Sequence, residues 1–216
     1  MSETYIVLGM HRGGTSITAA LLHHSGVEML HGTPISNNRE SPIGYYENRK
    51  IMGTNDKILS VAGGSWKHPP SPDDIIYAGN KMNKQISTLI SSFDASPKWG
   101  IKDPRLCLTY PVYHPYIDDP RFIIVVRDPE ANYQGFKKVR FAYLHQRYRT
   151  KEYFFNLYER YLECADKYSN GHPRLIVQFE NYFTGTKEIK KIRDFVGSKV
   201  PLKELKNLIN PKHKHH

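Results

Sequence analysis

The chain has 216 residues, 39% of them hydrophobic, with 31 Lys plus Arg against 21 Asp plus Glu and a formal net charge of +10. That length suits one domain spanning 1–216 around one core, with about 70% of the unfolded surface withdrawn from water. The composition excludes a membrane-spanning helix, since no apolar run nears the required ~20 residues, and a disulfide framework or cysteine cage, since only Cys107 and Cys164 occur.

The first predicted element is a buried strand, Tyr5 to Leu8, a short apolar run ending at a glycine. A helix follows from about Thr15 to Ser25, with Thr15 or Ser16 near its cap and Gly26 as its stop. From Leu30 to Pro72 the pattern weakens around one helix, Glu47 to Ser60, and prolines at 34, 42, 69, 70 and 72 punctuate the chain. Long irregular stretches inside a compact domain tend to be functional. A helix near 80–94 leads to a strand at Trp99 to Lys102 and a helix within 105–118.

RFIIVVRDP contains five apolar residues, Phe122 to Val126, and reads as a strand buried on both faces with Arg127 at its carboxyl end. Helices fill 130–146 and 152–169, RLIVQF at 174–179 is a fourth strand, and helices near 186–196 and 202–209 close the chain. This alternation predicts an α/β fold with a mostly parallel central sheet covered on both faces. Ligands in such sheets sit outside the carboxyl ends of the strands, which puts the loop after the first strand, Lys102 and Arg127 on one rim. The amino terminus lacks the charged and apolar regions of a secretory signal, so the expected compartment is the cytoplasm.

The loop itself is GMHRGGTS, Gly9 to Ser16. It has the glycines and the hydroxyl residue of the phosphate-binding pattern G-x-x-x-x-G-K-[ST], but Thr15 stands where the lysine belongs. Paired glycines opening a helix offer backbone N–H groups and a positive dipole end to an anion. The loop's own cation is Arg12, so charge arrives from another direction than in a Walker loop, where the lysine reaches the β- and γ-phosphates. Alone, eight such residues also describe a plain glycine turn.

GMHRGGTS resembles the 5′-phosphosulfate-binding loop of the sulfotransferase superfamily, and is most similar to the G-M-H-R-S-G-T-S loops of bacterial-type sulfotransferases. GYYEN (Gly44 to Asn48), with NDKIL and Trp66 after it, resembles that family's second block. WGIKDPR (Trp99 to Arg105) resembles the third, and also the Lys-Asp-Pro element of tyrosylprotein sulfotransferases. RFIIVVRDP resembles the 3′-phosphate-binding strand, and FENYF and FVG the C-terminal strand and helix. Gly13 departs from the usual Ser, removing a hydroxyl and keeping a backbone donor.

The resemblance implies a P-loop-like three-layer sandwich. It implies 3′-phosphoadenosine 5′-phosphosulfate (PAPS) as sulfuryl donor, PAP as product and no metal. It also implies an acceptor hydroxyl or amine on a saccharide, lipid head group, peptide or small alcohol. By the same resemblance Arg12 contacts the phosphosulfate, Lys102 approaches the leaving or transferring oxygens, and Gly13, Gly14, Thr15 and Ser16 donate to the anion. Arg127 then clamps the 3′-phosphate. A second contact usually comes from a Ser eight residues on, where this chain has Gly135, whose N–H, or Lys137 or Lys138, would have to compensate.

Each residue also has a plainer reading. Lys102 would be a surface lysine paired with Asp103, Arg105 an ion-pair partner, and Arg127 a partner of Asp128, since an arginine ending an apolar strand must reach an anion or carboxylate. An acceptor hydroxyl needs a general base; Glu47 in GYYEN is the choice, His11 its rival, and the plainer reading makes Glu47 a helix-start carboxylate. The remaining histidines, His23, His24, His31 and His68 among them, show no metal spacing. Two other functions compete: a P-loop nucleoside or nucleotide kinase, which needs a Mg²⁺-linked acid such as Asp103 or Asp128, and a basic nucleic-acid-binding protein.

Overall fold

The computed structural model describes residues 2–30, 44–93, 96–140 and 150–209. His31, the end of the helix expected at 130–146 and the histidine-rich tail lie outside these residues. Four parallel strands, β1 (Glu3–Leu8), β2 (Lys98–Lys102), β3 (Pro120–Val126) and β4 (Arg174–Gln178), form a sheet in the order β2-β1-β3-β4. The register pairs Val7 with Lys102, Leu8 with Ile124 and Val126 with Gln178, so all four carboxyl ends reach the same rim. The chain leaves β1 toward β2 on one side and β3 on the other, which makes the β1/β3 rim the switch point of the sheet.

Ten α-helices are described: α1 (Thr15–His24), α2 (Arg49–Val61), α3 (Pro72–Asn80), α4 (Asn83–Ser91), α5 (Leu106–Tyr113), α6 (Pro129–Arg140), α7 (Lys151–Ser169), α8 (Asn181–Thr184), α9 (Lys187–Val196) and α10 (Leu202–Asn207). Successive strand side chains point to opposite faces, and they divide the core in two. Ile6, Leu8, Ile101, Phe122 and Ile124 pack with α2 to α7. Tyr5, Val7, Ile123, Val125 and Val177 pack with α1, α8, α9 and α10. The result is a three-layer α/β sandwich.

Two expectations are corrected. The helix expected near 80–94 is α4, but a further helix, α3, begins where prolines had been read as breakers. Pro72 is the first residue of α3, a position with no helical N–H to lose, and Ser71 caps it by accepting from the Asp74 N–H at 3.2 Å. Thr15 and Ser16 open α1 next to its cap, as expected, and the cap position itself is Gly14, with φ 93° and no side-chain bond. RLIVQF is not buried like the other strands, because β4 is the sheet's edge and Ile176 is 51% exposed.

Candidate active site

The loop after β1 is shaped by close approaches at its three glycines. A Cβ on Gly14 would fall 2.0 Å from a ring carbon of Phe179, and its φ of 93° suits glycine; a Cβ on Gly9 would meet Thr15 and the Val125 carbonyl, each at 2.9 Å. A side chain on Gly13 would have its Cβ 2.7 Å from the Met10 carbonyl, which instead accepts the Gly13 N–H at 2.9 Å. Tight passage thus accounts for glycine at 13, and because its N–H is given to Met10 the expectation that Gly13 donates to the anion is corrected. Arg12 takes the left-handed conformation at φ 64°, a strain on the order of 1–2 kcal/mol for a residue with a Cβ.

Surrounding groups tie this loop down. The Arg12 carbonyl accepts from Arg127 Nη1 at 2.6 Å, and the buried Asn132 amide, oriented with nitrogen inward, donates to the His11 and Arg12 carbonyls at 3.0 and 3.2 Å. The Gly9 N–H donates to Cys107 Sγ at 3.1 Å. Carbonyls that would repel an anion are thereby turned onto fixed donors. With no side-chain cap at Gly14, the first-turn N–H groups of α1 face the rim without one.

Arg127 leaves β3 buried, its guanidinium 4.5 Å above the Phe179 ring. Burial chiefly, and the Arg12 charge besides, pull the Arg127 guanidinium below its ordinary value against the pull of Glu180. Asp128 adds its charge to Arg127, as the plainer reading foresaw, while its carboxylate also caps α6, accepting from the Ala131 N–H at 2.7 Å. The Arg127 carbonyl accepts from Tyr158 on α7 at 2.5 Å. Gly135 faces this arginine, its Cβ position 3.6 Å from Arg127 Nη1 and 3.9 Å from Arg12 Cβ. Its N–H belongs to the helical ladder of α6, so the idea that this N–H replaces a hydroxyl is corrected, and what Gly135 contributes is space.

Lys102, at the end of β2, is 2% exposed. Its ammonium donates to Glu47 Oε1 at 2.6 Å and to Ser16 Oγ at 3.3 Å. The surface pairing with Asp103 is therefore corrected. Asp103, fully buried, accepts from the Arg105 backbone at 2.8 Å and from Arg105 Nη1 at 3.1 Å, while Arg105 Nε donates to Asp56 at 2.6 Å. Complete burial, outweighing Arg105, raises the Asp103 carboxyl to about 6.

Glu47 is not a helix-start carboxylate either, because Asn48 caps α2, accepting from the Lys50 and Ile51 N–H groups at 2.8 and 3.2 Å. Tyr46, with φ 53°, is buried against the second core cluster, and this left-handed residue immediately precedes Glu47 and its contact with Lys102. His11 is buried too, its ring tilted 38° against Trp66 with centroids 4.3 Å apart.

The structure thus gathers Arg12, Gly13, Gly14, Arg127 and Gly135 at the β1/β3 rim, and Ser16, Lys102 and Glu47 beside it at the start of α1. Sequence reasoning missed Asn132, Tyr158 and Phe179. Phe179 and the tyrosines of α7 were visible as aromatics, but nothing local marks which of them touches a loop distant in sequence.

No protein-family model matches the chain, and no curated protein matches it. Solved structures do. The sulfotransferase domain from the Synechococcus PCC 7002 olefin synthase matches with a TM-score of 0.56 and 17% identity over 99% of this chain and 79% of that one. The sulfotransferase domain from the curacin biosynthetic pathway matches with a TM-score of 0.60 and 11% identity, over 99% and 80%. The chain has the P-loop-like fold of these sulfotransferase domains.

Proposed function

We propose that the chain is a sulfotransferase that moves a sulfuryl group from PAPS to a hydroxyl or amine acceptor. The observation that carries the proposal is the buried Lys102 ammonium held between Glu47 and Ser16 at the mouth of an anion-binding loop. In this reading the donor's phosphosulfate rests on the N–H groups from Gly14 to Ser16 with Arg12 beside it, and the 3′-phosphate meets Arg127. The acceptor oxygen attacks sulfur, the bond from sulfur to the bridging oxygen breaks, and PAP leaves. Glu47 takes the acceptor's proton. Lys102 and Arg12 stabilise the charge that grows on the leaving phosphate, a role that preorganised cations in a dry site perform well.

Arginine and lysine would supply here what Lys and Mg²⁺ supply in a kinase. Asp103 and Asp128, the acids a kinase would need, are engaged with Arg105 and α6. The test is a thermal-shift comparison of 3′,5′-ADP with ADP and AMP, with and without EDTA. The expected result is a larger shift for 3′,5′-ADP, insensitive to EDTA, with the preference lost in Arg127→Ala. Equal shifts for ADP and 3′,5′-ADP, or a requirement for Mg²⁺, would remove the reading.

A further inference from the structure

A groove runs between α2 and α4, opening two residues after Glu47. It consists of two adjoining hollows, about 430 and 510 Å³, that share Gln85 and Thr88. Arg49, Lys50, Lys57, Lys81 and Lys84 line it, and among the described residues no Asp or Glu does. Like charges gathered in a hollow repel one another and lower the cost of bringing in an anion.

Gly53 points the same way. It lies inside α2, where glycine costs about 1 kcal/mol relative to alanine, and its φ is not in the left-handed region. A Cβ there would meet nothing within 4 Å. Neither backbone conformation nor packing calls for glycine at this position; its bareness keeps the first hollow open.

We infer that this groove seats an anionic saccharide chain whose terminal hydroxyl is presented to Glu47, an inference that rests on the sulfotransferase reading and names its acceptor. The lining favours sugar over an acidic peptide. Thr54, Gln85, Thr88 and Ser92 set hydroxyl and amide groups between the cations, whereas peptide grooves commonly work through a strand edge or apolar anchor pockets. Tyr77 stands 63% exposed with the Lys81 ammonium 4.2 Å from its ring centre, an aromatic face beside a cation as an acidic sugar ring would use. Arg49 to Lys57 spans roughly 12 Å of helix, enough for two or three sugar units.

The test measures binding of three probes to the full chain by calorimetry: a hexasaccharide with a carboxylate on alternate sugars, the same oligosaccharide with its carboxylates reduced to alcohols, and hexaglutamate. The carboxylated sugar is expected to bind most tightly, with affinity falling as salt rises. It should weaken at least about tenfold in the double variant Lys57→Glu/Lys84→Glu and also in Gly53→Met, while the thermal shift with 3′,5′-ADP is unchanged in both. Absence of binding, affinity indifferent to these substitutions, or tighter binding of hexaglutamate overturns the inference. Failure of the wild-type chain to prefer 3′,5′-ADP removes the sulfotransferase reading instead, so the two are told apart by different ligands.

Discussion

A lysine as deeply buried as Lys102 must recover several kcal/mol of lost hydration, and a carboxylate at 2.6 Å is what recovers it. Glutamine at 47 keeps an oxygen for that ammonium but cannot take a proton. Glu47→Gln is therefore expected to lower turnover about 10²- to 10⁴-fold with 3′,5′-ADP binding retained; comparison of single-turnover rates with nucleotide thermal shifts checks this, and undiminished turnover would remove Glu47 as base. Gly135 invites the opposite experiment. A Cβ there makes only ordinary contact with Arg127 and Arg12, so Gly135→Ser should fit, add a hydroxyl beside the guanidinium and tighten 3′,5′-ADP several-fold, as titration would report. Serine also suits a helix interior better than glycine by a few tenths of a kcal/mol.

Among the elements, α7 braces the site more than its amphipathic sequence suggests. Tyr153 and Tyr161 donate to the Lys67 and Trp66 carbonyls at 2.5 and 3.0 Å, and Arg160 donates to the Pro69 and Pro70 carbonyls. These bonds lay the segment after α2 across the loop so that Trp66 reaches His11. Tyr158 performs the same service for Arg127. Tyr158→Phe leaves the Arg127 carbonyl without this donor, at a cost of about 1–2 kcal/mol. The expected outcome is a matching loss in chemical denaturation and, on the proposed function, a larger proportional loss of affinity for 3′,5′-ADP than for AMP, because that reading assigns the 3′-phosphate to Arg127.

For the whole molecule, the Asp103, Arg105 and Asp56 network links the end of β2 to α2 and makes folding depend on pH. The Asp103 carboxyl is raised from 3.8 to about 6 by burial, so between these values the folded chain holds more protons than the unfolded one. Its contribution to stability is complete below about 3.8 and is lost as pH rises through about 6. Asp103→Asn cannot titrate. The stability of wild type minus variant, from urea unfolding across that range, should therefore fall as pH rises; a difference that grows instead would contradict the raised value.

Short-range information in the chain was enough for the four strands, the glycine loop and the rim on which Arg12, Lys102 and Arg127 meet, because apolar runs, helix periods and strand-end positions are local properties. The α3 start was misread because proline breaks a helix inside and favours it at the first residue, and only the chain's path distinguishes the two. Partners were another matter. Lys102 took Glu47, 55 residues away, over adjacent Asp103, and Arg127 reaches the Arg12 carbonyl 115 residues away. Burial strips these groups of water, so each must bond whatever polar atom the strand register and helix packing bring near, and neither is written in neighbouring residues. The basic groove arises the same way, from two helices separated in sequence whose facing sides become one surface only when the layers close.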